Sequence, residues 1–169
     1  KPPVPPGDDN GPLKEVPFGT YTNIVHGLEV RNLLRRNGLQ EAIRLEPDLA
    51  NSYVGLGAAY WATADYEQAI ANYTRAIRLD PGDAEAYHGR GLTYYDIGNY
   101  KQAIEDFDKA IALDPENPDM YWGLGNVYYN QQSYTSALEN YRRCLELSGD
   151  DLPPFVVRRV AELEDRLGQ

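Results

Sequence analysis

Apolar and small residues recur along this chain at a fixed step of 34. Tyr53, Tyr87 and Tyr121 keep that step, as do Gly57, Gly91 and Gly125, then Tyr60, Tyr94 and Tyr128. Tyr66, Tyr100 and Tyr134 follow it, with Ala69, Ala103 and Ala137, and Pro81 with Pro115. A period of this length is the signature of a solenoid whose units stack on their neighbours. Within each period the apolar spacing predicts two helices. In the first unit they fall at about 50–63 and 66–79 by their 3.6-residue spacing, and Pro81 with Gly82-Asp83 closes the unit. Gly98-Asn99 ends the first helix of the second unit. Ala64-Asp65 and Gln132-Ser133 stand there in the other two, an absence of glycine that costs little if the backbone avoids the left-handed region.

The flanks carry other patterns. Leu152, Val156, Val160, Leu163 and Leu167 form one apolar stripe after Asp150-Asp151-Leu152-Pro153-Pro154, a helix start with an Asp cap and Pro just inside. This predicts an amphipathic helix that covers the open end of the stack. Upstream, Leu33, Leu34, Leu39, Ile43 and Leu45 suggest irregular helix interrupted at Asn37-Gly38. The run 41–47 resembles 109–115, like the tail of a degenerate unit. The opening KPPVPPGDDNGP blocks helix and favours an extended arm. The expected division is 1–27 arm, 28–48 irregular helical segment, 50–149 three repeats (50–83, 84–117, 118–149) and 150–169 capping helix.

The repeated residues resemble those of the tetratricopeptide repeat family. In the second unit the pattern is Ala84, Tyr87, Gly91, Tyr94, Gly98, Tyr100, Ala103, Phe107, Ala110 and Pro115. The first unit matches at Ala50, Tyr53, Leu56, Gly57, Tyr60, Tyr66, Ala69, Tyr73, Ala76 and Pro81, and the third at Tyr121, Leu124, Gly125, Tyr128, Tyr134, Ala137 and Tyr141. The resemblance implies an all-α, right-handed solenoid of helical hairpins that binds other proteins without catalysis. Departures are Arg90, where the other units have Leu56 and Leu124, together with Cys144 in an alanine place and Gly149 in the proline place. The stem of Arg90 is expected to snorkel over the core.

The first helix of each unit has a second apolar face. Tyr53, Leu56, Gly57 and Tyr60 fall on the core side, whereas Val54, Ala58 and Trp61 cluster roughly 120° away. Their equivalents are His88, Leu92 and Tyr95, then Trp122, Asn126 and Tyr129. By the resemblance this face lines the concave side, where peptide ligands dock. Gly55, Gly89 and Gly123 are expected to leave its floor open, and Glu85, Asp96 and Asp119 to place acid at its edges. The alternative for Tyr95 and Tyr129 is packing between neighbouring first helices. Aromatic residues of this kind are the usual anchors of interfaces. The clamp for acidic chaperone tails seen in some family members needs Lys, Arg and Asn, but Asn51, Val54, Gly55, Ala58, Glu85, His88, Gly89 and Leu92 occupy these places. No binding of such tails is expected.

Charge narrows the partners. With 16 basic and 26 acidic residues the net charge is −10, against a generic nucleic-acid or anionic-membrane surface. No apolar run is long enough to span a membrane. His26 and His88 are the two histidines, without a second ligand at metal spacing, and no phosphate loop or nucleophile elbow occurs. Neither a cofactor nor a metal is expected. His88 reads as a groove histidine making a hydrogen bond, Cys144 as inert core, and Asn72-Tyr73-Thr74 as a chance sequon within a helix. Glu105, Asp106 and Asp108 read as solvated convex surface. The leading expectation is an adaptor gripping an apolar or proline-bearing segment with neutral to basic flanks. The alternatives are self-assembly, with the N-terminal arm in its own or a neighbour's groove, and a regulatory or membrane-tethered module. The chain begins at Lys1, and a piece of a longer protein is the expectation; its compartment is left open.

Overall fold

The computed structural model describes residues 50–149 and 153–168. The expected arm at 1–27, the segment at 28–48, and Asp150, Asp151 and Leu152 lie outside these described residues.

Seven helices follow one another among the described residues: α1 Ala50–Ala62, α2 Tyr66–Leu79, α3 Ala84–Asp96, α4 Tyr100–Leu113, α5 Pro118–Asn130, α6 Tyr134–Ser148 and α7 Pro154–Leu167. Their starts are set by local chemistry. Asp83 Oδ1 accepts from the Ala86 amide at 3.1 Å and Asn117 Oδ1 from the Asp119 amide at 3.1 Å, satisfying amides that a first helical turn leaves open. Pro118 occupies the first turn of α5, where its missing N–H costs nothing. The expected Asp cap of α7 falls on Asp150 and Asp151, outside the described residues; Pro153 stands at the capping position and Pro154 in the first turn. Phe155 and the buried Val156, Val160 and Leu163 anchor α7 in one cluster with Leu138 and Tyr141 of α6.

All three hairpin turns share one closure. Gly98 donates to the Tyr95 carbonyl at 2.9 Å and Asn99 to the Tyr94 carbonyl at 2.8 Å, the paired bonds of a Schellman end. Ala64–Asp65 and Gln132–Ser133 repeat it on Trp61 and Tyr60, and on Tyr129 and Tyr128. That closure requires a left-handed residue, so Ala64 (φ 59°) and Gln132 (φ 62°) adopt the conformation Gly98 takes at φ 77°. The condition under which a missing glycine costs little is therefore not met: tertiary closure overrides local preference, at roughly 1 kcal/mol each.

The α1–α2, α3–α4 and α5–α6 hairpins stack in order, each second helix also packing on the next first helix. Neighbouring first helices touch as well, so α1, α3 and α5 form one layer and α2, α4 and α6 the other. One aromatic ring per unit joins the layers. A Cβ on Gly57 would lie 2.8 Å from the Tyr73 ring, and one on Gly89 of the next unit would run into the hydroxyl end of the same ring. Phe107 is held likewise between Gly91 and Gly123, and Tyr141 rests on Gly125. Gly89 and Gly123 are buried, so they do not leave a groove floor open; they admit the preceding ring.

The second unit carries a buried ion pair. Arg90 donates through Nε and Nη2 to both carboxylate oxygens of Asp106, at 2.8 and 2.7 Å, and through Nη1 to Thr74 Oγ1 at 3.0 Å. The side chains are 17% and 7% exposed, so Asp106 is interior rather than solvated convex surface. Arg90 does not snorkel out. It bridges α2, α3 and α4, with its guanidinium 5.8 and 5.9 Å from the Tyr87 and Tyr94 ring centres.

Candidate functional site

The layer of first helices presents the sequence-predicted face, and its residues have several different environments. Val54 and Leu92 are 9% and 7% exposed and belong to core clusters, so they support the face from beneath. Ala58, Trp61, Tyr95, Trp122, Asn126 and Tyr129 are half-buried. His88 packs against the Phe107 ring at 5.8 Å, and its Nε2 is buried without a hydrogen-bond partner. Burial lowers its pKa to about 4, opposed by a hydrogen bond to the Asp119 backbone, so the imidazole is neutral at pH 7.

The aromatic register is tied together across units. Trp61 Nε1 donates to Asp96 Oδ2 at 2.7 Å, and Asn130 Nδ2 donates to the Tyr95 hydroxyl at 2.9 Å. Each bond links residues 35 apart, one repeat plus one position. Asp96 thus holds an indole rather than serving only as edge acid. Glu85 is exposed and Asp119 half-buried. Tyr95 and Tyr129 also lean on Tyr100 and Tyr134 at 6.1 and 5.7 Å. These contacts fix each ring at one edge and restrict its rotamers.

The third unit is shaped by α7, which sequence reasoning treated only as a cap. Phe155 meets Trp122 edge-on at 5.9 Å, and the Arg159 guanidinium lies 4.3 Å over the Tyr129 ring. Asn126 Oδ1 accepts from the Tyr141 hydroxyl at 2.6 Å. An open cleft lined by Trp122, Asn126, Tyr141, Phe155 and Arg159 lies between these helices. A cation therefore reaches the aromatic register from outside the repeats. The signal was Arg159 one residue before Val160 on the apolar stripe, legible only once the pose of α7 is known. Cys144 is buried, and burial pushes its thiol up to about 12, which makes it a poor nucleophile.

Among the described residues no group of acidic, histidine or cysteine side chains could hold a metal ion, and no helix is long and apolar enough to cross a membrane.

Similarity to known proteins follows the fold. A family model for the TPR repeat matches residues 65–98 and 91–132, and one for the tetratricopeptide repeat matches 118–151. No curated protein sequence matches the chain. Among solved structures, MamA superposes with a TM-score of 0.68 at 21% identity, over 92% of this chain and 86% of that one. The first TPR of Spaghetti (RPAP3), bound to the HSP90 peptide SRMEEVD, gives 0.66 at 22% identity over 71% and 94%. The Sgt2 TPR domain from Aspergillus fumigatus gives 0.66 at 24% over 70% and 79%. These likenesses show the fold. With the repeat models spanning residues 65–151 and the helical hairpins stacked as described, the chain belongs to the tetratricopeptide repeat family.

Proposed function

We propose that this protein is a non-catalytic interaction module whose first-helix layer grips an extended or helical segment of another protein. The observation that carries this reading is the tethered aromatic register. Trp61 and Tyr95 are half-buried, held at one edge by Asp96 and Asn130, and stand on the layer formed by α1, α3 and α5. Rings of this kind offer large contact area with little left to immobilise. The Spaghetti structure contains a bound peptide, which supports a peptide-sized partner here. Its peptide is acidic, whereas the places for a basic clamp on the first helices hold Val54, Glu85, His88 and Leu92. We keep the reading of an apolar or proline-bearing ligand along α1 and α3.

The test compares partner capture by wild type, Trp61→Ala and Tyr95→Ala, with a helical melt for each. Loss of the same partner in both variants, with melts shifted by only a few degrees, supports the site. Capture equal to wild type in both variants removes it.

A further inference from the structure

At each junction between units a second helix packs on the next first helix. Ala86 of α3 meets Tyr73 and Ala76 of α2 in one cluster, and Leu124 and Val127 of α5 meet Phe107 of α4 in another. Gly89 and Gly123 admit the Tyr73 and Phe107 rings. The same places on α1 are held by Ser52, Gly55, Leu56 and Ala59. Ser52, Leu56 and Ala59 are buried, although α1 is the first of the described helices. We infer that residues 38–46, which lie outside the described residues, dock on this side of α1 as one helix, with Leu39 seated on Gly55.

The register fixes the occupant. Ala42-Ile43-Arg44-Leu45 repeats Ala76-Ile77-Arg78-Leu79 of α2 at a step of 34, and Glu46-Pro47 follows as Asp80-Pro81 does. Leu39 falls 34 before Tyr73, the residue whose ring enters the glycine of the next unit. Glu46 to Leu49 separate Leu45 from Ala50, just as Asp80 to Asp83 separate Leu79 from Ala84, so the connection delivers the segment to α1 as it delivers α2 to α3. Charge assists the docking: between residues 31 and 46 four arginines stand against two acidic residues, whereas the whole chain has a net charge of −10. Two departures mark the segment as a lone helix. Arg35 stands at the place of Ala69, Ala103 and Ala137, which are fully buried in their hairpins, and Gly19, Asn23, His26 and Gly27 stand where Tyr53, Gly57, Tyr60 and Trp61 build a first helix. The segment then seals this end of the stack as α7 seals the other, because a solenoid needs both terminal faces covered. The aromatic register accordingly begins at Trp61.

The experiment uses the full chain, with NMR of labelled methyl groups and amide hydrogen exchange. Wild type should show nuclear Overhauser contacts from the Leu39 methyls to the Gly55 α-protons and the Ser52 β-protons. Leu39→Asp should speed exchange at the Leu56 to Tyr60 amides of α1 by at least about tenfold, because it uncovers that end of the stack, while amides of α5 and α6 keep their rates. Arg44→Gln, at the place of the exposed Arg78, should leave both sets unchanged. Exchange of α1 in Leu39→Asp equal to wild type overturns the inference, as does the absence of Leu39 contacts to α1. Contacts to Gly55 that arise only between differently labelled copies put a second chain there and overturn it too. If Leu39→Asp unfolds throughout, the wild-type contacts decide by themselves. These readouts report on the end of the stack, so their outcome is separate from partner capture by the Trp61 and Tyr95 variants.

Discussion

Arg90→Leu alone should be far more damaging than Arg90→Leu combined with Asp106→Asn. The first and third units place Leu56 with Asn72, and Leu124 with Asn140, where the second unit has Arg90 with Asp106. Removing the guanidinium strands a carboxylate that is 7% exposed and breaks three hydrogen bonds. Stranding one partner of a buried pair costs about 3–5 kcal/mol. Asp106→Asn should cost less, about 2 kcal/mol, since the guanidinium is more exposed, keeps Thr74 and lies near two tyrosine rings. The double variant restores the pairing of the other units. Replacing a buried ion pair by apolar packing is often neutral or stabilising, so it should fall within about 1 kcal/mol of wild type. The assay is urea unfolding followed by helical circular dichroism, with all four proteins fitted for midpoint and slope. Those losses imply a coupling of at least about 4 kcal/mol, above the roughly 0.5–3 kcal/mol common for contacting residues, because each single variant leaves its buried partner unpaired. Single-variant losses that simply add, with the double variant the least stable, would refute the argument that Asp106 is buried for Arg90.

Three further outcomes follow from the packing. Ala64→Gly and Gln132→Gly should each stabilise the fold by about 0.5–1 kcal/mol, because relief of the left-handed backbone exceeds the entropy glycine adds to the unfolded chain; Gly98→Ala should lose a similar amount. Chemical unfolding of the three variants checks the signs. Gly89→Ala should cost about 1–3 kcal/mol by driving a methyl into the Tyr73 ring, and adding Tyr73→Leu should recover part of it. His88 has a folded pKa near 4 against 6.5 unfolded, so the unfolded chain binds the extra proton between those values. Its contribution is complete above pH 6.5 and is lost as pH falls towards 4, on the order of 3 kcal/mol in all. A stability–pH curve should flatten across that window in His88→Phe, whereas an unchanged slope would contradict the buried neutral imidazole.

Some features were legible because they repeat. The hairpin boundaries, the stacking order and the two aromatic registers all follow from residues at a step of 34, since equivalent positions in a solenoid meet equivalent neighbours. Other features were not, because they depend on one unit departing from the pattern. Arg90 and Asp106 depart together, and that pairing was a signal the linear reading split into a snorkelling arginine and a surface acid. Gly89 and Gly123 were visible as repeated glycines, but only the preceding ring packed against them explains why they are small.

The linear chain by itself determined the family, the helix periodicity and which residues share the second face. Helical geometry maps sequence spacing onto a face without knowledge of any neighbour. What that face can do was decided by tertiary structure. Trp61 meets Asp96 and Tyr95 meets Asn130 at a separation of 35, Arg90 meets Asp106 at 16, and Arg159 reaches Tyr129 from a helix outside the repeats. Those contacts depend on how helices stack, because hydrogen bonding and charge pairing act over a few ångströms whatever the distance along the chain.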